Sequence, residues 1–293
     1  MTETSPASPG SHNDVLQMQN AALVAGVKKR MSPLGMALAD LVETARLWRL
    51  GVMLGVLDIR LRYRGSALGP LWMTVTSALM VASMGIIYST LFHMKLGAYL
   101  PFLALSLMLW QAGLSSIISE SCECFVSAEE SIRSVRQPFL LQAVRMLTRN
   151  AVVFGLNLIV PFVVFVIFGR WPGFDAVLAL PGLLLWMLDG VAACMLLGSL
   201  CARFRDVPPI IGSLMQIVFY VTPIIWMPQQ MGPNSRLLIY NPFYALLEIV
   251  RGPLLGTPPA LSVWGMAIGS SLVFGLIATV VFVKVRARLV FWI

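Results

Sequence analysis

Six stretches free or nearly free of charge recur along the chain, at about 70–94, 97–119, 150–169, 176–201, 207–227 and 261–283. Each approaches the roughly 20 apolar residues that a helix needs to cross a hydrocarbon core. None shows the period-two alternation of a membrane β-barrel, and in lipid every span must satisfy its backbone polar groups internally. The pattern predicts an all-α integral membrane protein with six transmembrane helices.

Ahead of the first span, DLVETARLWRLGVMLGVLDIRLRYR (40–64) places Asp40, Glu43, Arg46 and Arg49 every three residues beside Leu41, Leu47, Trp48 and Leu50. That spacing predicts an amphipathic helix in the headgroup layer of the inner leaflet. Asp58 to Arg64 alternates with period two, a strand signal when taken alone. A lone strand beside a membrane helix would carry unpaired edges, so the helix is preferred. The expected organisation is a cytoplasmic tail over 1–35, an interface helix over 36–66 and a six-span domain over 67–293. Residues 1–30 are polar and lack the apolar core of a secretory signal, and read as a disordered tail kept in the mature chain.

After the fifth span the pattern breaks down. Pro223, Pro228, Pro233 and Pro242 punctuate apolar turns too short to span. They predict short re-entrant helices on the outer side, between the fifth and sixth spans, capping a pathway.

Composition and charge sharpen this picture. Of the residues, 58% are hydrophobic and 12% are charged, about half the charged share of a soluble domain. Of the 21 Lys and Arg, all but Lys95, Arg170, Arg236 and Arg251 lie in the tail, the interface helix or alternate connections. The positive-inside rule then puts both termini in the cytoplasm. The net charge of +8 is accounted for by topology and requires no nucleic acid. Cys122, Cys124, Cys194 and Cys201 form no CxxC or Cys/His pattern, so neither a disulfide nor a metal site is expected.

The longest inward connection, SESCECFVSAEESIRSVRQPFLLQAVRMLTRN, carries Glu120, Glu123, Glu129 and Glu130 with four arginines. It reads either as a solvated helical hairpin or as a docking element for a cytoplasmic partner. Arg60, Arg62 and Arg64 close the interface helix, and anchoring to anionic lipid is the preferred reading of them. Trp72, Tyr88, Phe92, Trp110, Phe219, Tyr220 and Trp226 lie near span ends, as an interfacial belt or as ring faces lining a pathway. Asp189 is the one acid well inside a span, a candidate for function or for a hydrogen bond between helices. Glu248 and Arg251, three apart on a short helix, should pair with each other.

Three segments in order, RYRGSALGPLWMTVTSALM, CARFRDVPPIIGSLMQIVFYVTPIIWMP and NPFYALLEIVRGPLLG, resemble the membrane subunit of ABC exporters of polysaccharides: O-antigen, capsule and teichoic acid exporters of the ABC-2 type. The likeness runs from about Leu57 to Ile293. It implies a homodimer served by two copies of a separate ATPase, and a substrate glycan on a lipid carrier, commonly undecaprenyl diphosphate, whose pyrophosphate would enter at Arg60, Arg62 and Arg64, since guanidinium groups suit phosphate oxygens. It also implies a channel at the dimer interface lined by Tyr88, Phe92, Trp110, Phe219 and Tyr220, with the outer gate at Asn241, Pro242, Glu248 and Arg251. Contact with the ATPase falls on Glu129, Glu130, Arg133, Arg205 and Asp206. The chain has no GxxxxGK[ST] phosphate-binding loop, so no catalytic residue or cofactor is expected here, and ATP and Mg belong to the partner. An exporter of a drug or small lipid is the alternative. A secondary transporter would need coupling acids or inverted repeats, and a lipid enzyme would need a cluster of acids or histidines. The two histidines, His12 and His93, lie far apart in topology.

Overall fold

The computed structural model describes residues 32–66, 69–134, 137–289 and 291–292, and no strand occurs among them. The first helix, α1 (Pro33–Arg62), starts where the Ser32 hydroxyl accepts from the Gly35 amide and Pro33 fixes the first turn. It ends with Arg60 and Arg62 over its last carbonyls. Then follow α2 (Leu71–Leu91), α3 (Leu96–Glu123), α4 (Glu129–Ser134), α5 (Leu140–Ile167), α6 (Phe174–Arg203) and α7 (Val207–Val221). A 3-10 segment (Pro228–Tyr240) leads into α8 (Pro242–Leu254), and α9 (Leu261–Leu289) closes the chain.

Five of these, α2, α3, α5, α6 and α9, are long and apolar enough to cross a membrane. The predicted span at 207–227 is helical only to Val221, 15 residues in all, which is about 22 Å of helix. The cause is local. Pro223 disfavours helical geometry at the residue before it, and Thr222 is extended, at φ −87° and ψ 137°. In the other direction α5 begins ten residues ahead of the predicted span, because the arginines in its first turns find acidic partners.

The centre of the bundle is α3. From Pro101 to Trp110 every residue is buried, the signature of a helix enclosed on all sides. By contrast α2 buries one stripe, Thr74, Val81, Gly85 and Ser89, and α7 buries Met215 alone. The remaining faces of both helices are exposed and apolar, with Leu79, Ile86 and Ile87 on one and Ile210, Leu214 and Ile217 on the other.

Helix α1 lies lengthwise on α5. Its buried positions Asp40, Thr44, Gly51, Gly55 and Ile59 form one face. The glycines permit the approach, since a Cβ on Gly55 would stand 2.6 Å from the Arg145 carbonyl oxygen. Leu34, Leu38, Leu41, Trp48, Met53, Leu57 and Leu61 are exposed. Asp40 and Asp58 thus turn toward the protein, while Glu43 and much of the apolar surface turn outward.

Contrary to the expectation of no disulfide, Cys124 and Cys194 are bonded, their Cα atoms 6.2 Å apart. The two are 70 residues apart in sequence, and only the packing of α3 against α6 brings them together. Cys122 and Cys201 are free and buried.

Candidate functional site

At one end of the bundle, Asp58 of α1 accepts from Arg145 and from Arg149, the latter at 3.2 Å. Arg149 reaches onward to Glu120 of α3, its Nε donating to Oε2 at 2.7 Å. Asn150 continues the chain: its Nδ2 donates to Glu120 at 3.1 Å and its Oδ1 accepts from Ser116 at 2.6 Å. Burial of Asp58 opposes ionisation, but the hydrogen bonds and positive charge of Arg145 and Arg149 outweigh it and hold the carboxyl below its ordinary value. A second tie joins the other end of α1 to α9, where Arg286 pairs with Asp40. The network adds charged ties to the close packing of α1 on α5, where Gly51 faces Val144 and Leu141.

Of the three arginines predicted to meet a pyrophosphate, Arg60 and Arg64 are exposed. Arg62 stands 3.9 Å from Glu120 and is half-exposed. Arg62 thus borders the network, and all three side chains are open to their surroundings.

The residues predicted to meet an ATPase come from two separate connections, and the fold joins them. A groove of about 340 Å³ is lined by Glu123, Val126 and Glu129 from the first connection and by Cys201, Arg205 and Pro208 around the second, with Trp292 at its rim. Glu130 lines an adjoining shallow depression with Val126, Ser127 and Ser134. Asp206 is exposed beside Arg205. The side chain of Arg133 lies outside the described residues. Trp292 was not singled out from sequence; Arg203 stacks over its ring at 4.8 Å, a contact across 89 positions that no local pattern signals.

The five aromatic candidates fall into two groups that flank α3. Tyr88 of α2 and Phe92 just beyond its end stack at 5.7 Å, and Phe92 meets Tyr99 edge-on. On the other side Trp110 meets Phe219 at 6.2 Å, and Phe219 meets Tyr220 at 5.2 Å. Trp110 is only 3% exposed, whereas Tyr220 is 62% exposed. Trp110 thus backs Phe219 from within the core, and Tyr220 faces outward from α7.

At the opposite end Arg251 is 1% exposed. Its Nε donates to Glu248 at 3.0 Å, and its Nη1 donates to Ser106 at 3.0 Å and to the carbonyl of Pro223 at 2.5 Å. The guanidinium also lies 4.6 Å from the centre of the Phe102 ring. The expected local pair with Glu248 is present, but Arg251 also clamps α8 to α3 and to the chain just beyond α7. Asn241 works beside it. Its side-chain oxygen accepts from the Phe243 and Tyr244 amides, capping α8 next to Pro242, and its Nδ2 donates to Thr222 at 3.1 Å. Here the sequence indicated the residues and the local pair; it did not indicate the partners Ser106 and Pro223, which come from elsewhere in the chain.

The profile of the ABC-2 type transporter family matches residues 53–255. The chain belongs to the ABC-2 type transporter family. That match begins within α1 and ends at the close of α8, so it takes in the Asp58 network, the aromatic groups and the Arg251 clamp of this ABC-2 protein. Two relatives are similar to it. The O-antigen export system permease protein RfbA of Myxococcus xanthus is 23% identical over 193 residues, covering 65% of this chain and 74% of the relative. The protein of the same name from Klebsiella pneumoniae is 24% identical over 196 residues, with the same coverage of each.

Proposed function

We propose that this chain is the transmembrane subunit of an ATP-driven exporter that carries a lipid-linked polysaccharide, of O-antigen type on undecaprenyl diphosphate, across the bacterial inner membrane. The observation that carries the substrate class is the similarity to two permeases named for O-antigen export, along about three quarters of their length. In this reading two copies assemble with two copies of an ABC ATPase, and both termini face the cytoplasm. The exposed apolar faces of α2 and α7 support a dimer whose channel runs between those helices, past Tyr88, Phe92, Phe219 and Tyr220. Arg60, Arg62 and Arg64 receive the pyrophosphate as the carrier slides in along α1. The segment from Pro228 to Leu254, held by the Arg251 clamp, closes the outer mouth.

The groove between Glu129 and Arg205 receives the ATPase. Coupling requires that nucleotide state and channel state share free energy. A contact assembled from both inward connections acts on α3, α4, α6 and α7 at once, and so can transmit that energy to the channel wall.

The test is reconstitution in vesicles with and without the ABC ATPase encoded nearest to this chain. The chain alone should hydrolyse no ATP, and the pair should move an undecaprenyl diphosphate-linked glycan in an ATP-dependent manner. Movement of small amphiphiles but of no glycan would replace this reading with a drug or small-lipid exporter.

A further inference from the structure

Asp189 stands near the middle of α6, about 20 Å of helix from either end. Its Oδ2 accepts from the Ser271 hydroxyl of α9 at 2.7 Å, which is its one hydrogen-bonding partner among the described residues. Beside it lies a cavity of about 200 Å³, walled by α3, α6, α8 and α9. Trp186, Phe243, Leu246 and Phe274 line this cavity together with Asp189 and Ser271. No lining residue comes from α2 or α7, so the cavity is separate from the proposed polymer path.

We infer that this cavity is a binding site for a lipophilic organic cation: an ammonium group carrying a compact apolar or aromatic body. The carboxylate and the rings make complementary demands. An ionised acid in an apolar enclosure is costly unless it is paired, and Ser271 occupies one of its oxygens. Aromatic faces attract a cation, tryptophan most strongly, and apolar walls with one placed charge fix both orientation and selectivity. A neutral lipid tail would fill the volume but leave the carboxylate uncompensated. A phospholipid ammonium headgroup is anchored at the interface, too far from mid-membrane to reach it. A cation with a hydrocarbon body dissolves to that depth and supplies both halves of the match. Bound there, it would touch Phe243 and Leu246 and wedge α8 against α9, on the element that carries Arg251.

The experiment uses the full chain in phosphatidylcholine nanodiscs and radiolabelled benzyltrimethylammonium in equilibrium dialysis. It involves no ATPase and no glycan, so its result is independent of the export reading. The expected result is saturable binding that weakens at least tenfold in Asp189→Asn, which preserves the side-chain shape and an acceptor for Ser271. Neopentylbenzene, the uncharged isostere, should fail to displace the cation at the same concentration. Absence of saturable binding, equal binding by both chains, or displacement by the isostere would overturn the proposal. The isostere comparison needs only the unaltered chain, and so it decides even where Asp189→Asn does not fold.

Discussion

Asp58 holds Arg145 through both carboxylate oxygens: Oδ2 accepts from Nε at 2.7 Å and Oδ1 accepts from Nη2 at 2.6 Å. This planar fork is the geometry in which an arginine–carboxylate pair is strongest. It joins α1, whose outer face is largely apolar, to a spanning helix 87 residues later. Asp58→Asn should therefore loosen α1 from the bundle. The pair is partly buried, which places its loss between that of a surface pair and a fully buried one, at about 2 kcal/mol. Thermal unfolding in detergent should show the drop, and proteolysis should release α1 first.

The same pair predicts a pH response. The folded value of Asp58 lies below its ordinary 3.8, so its contribution to stability is complete above 3.8 and is lost as pH falls through the lower folded value. Melting between pH 7 and pH 5 should show no pH dependence from this group, whose contribution is full and constant there. Below about pH 4 the difference between the parent and Asp58→Asn should shrink toward zero.

Arg251 makes a harder demand. Removing it leaves Glu248 without its cation and leaves the Pro223 carbonyl and the Ser106 hydroxyl without a donor, in a region closed to water. Breaking a buried pair from one side costs about 3–5 kcal/mol. Arg251→Met should therefore destabilise strongly, while Arg251→Met with Glu248→Gln should recover part of the loss. Melting temperatures of the two variants compare directly, and equal values would show that Glu248 is not the group left uncompensated.

These two sites mark the limit of what the linear pattern carries. Hydropathy located five spanning helices, because a helix in lipid must be apolar over its whole length. It overran α7, where a single proline at 223 decides the end, and began α5 ten residues late, because Arg145 and Arg149 read as loop charges until Asp58 and Glu120 are seen to neutralise them. Glu248 and Arg251 were legible as a pair because helical spacing is local. Ser106, Pro223, Trp292 and the Cys124–Cys194 bond were not, since each depends on which helices pack together. Glu129 and Arg205 were assigned to one partner only through family resemblance. The groove gives that assignment a physical basis in proximity.

On the proposed function, that groove should tolerate neutral changes better than reversed charge. Glu129→Lys with Glu130→Lys turns an acidic rim basic beside Arg205, so a partner surface complementary to the present mixture would meet like charges. The double variant should lose co-purification with the ATPase, or retain it with hydrolysis no longer linked to export. Normal assembly and export would move the docking site away from this groove.

A polymer longer than the membrane is thick cannot be enclosed within a two-subunit site, so export on the proposed reading requires a continuous path. Phe219 and Tyr220 then have distinct duties. Phe219 is braced from behind by Trp110 at 6.2 Å, and Tyr220 projects from α7 with most of its ring exposed. Contacts between ring faces and sugar C–H groups are individually weak, which lets a chain slip past instead of binding tightly. Replacing both residues by Ala removes the sliding surface but leaves the Arg251 clamp and the Asp58 network untouched. Phe219→Ala/Tyr220→Ala should slow glycan export severalfold at unchanged ATPase association and unchanged dimer mass. Trp110→Ala should instead lower the melting temperature by removing a buried ring, at a cost of about 3–5 kcal/mol. Full export by the Phe219/Tyr220 double variant, measured in the same vesicles, would place the path on another face of the bundle.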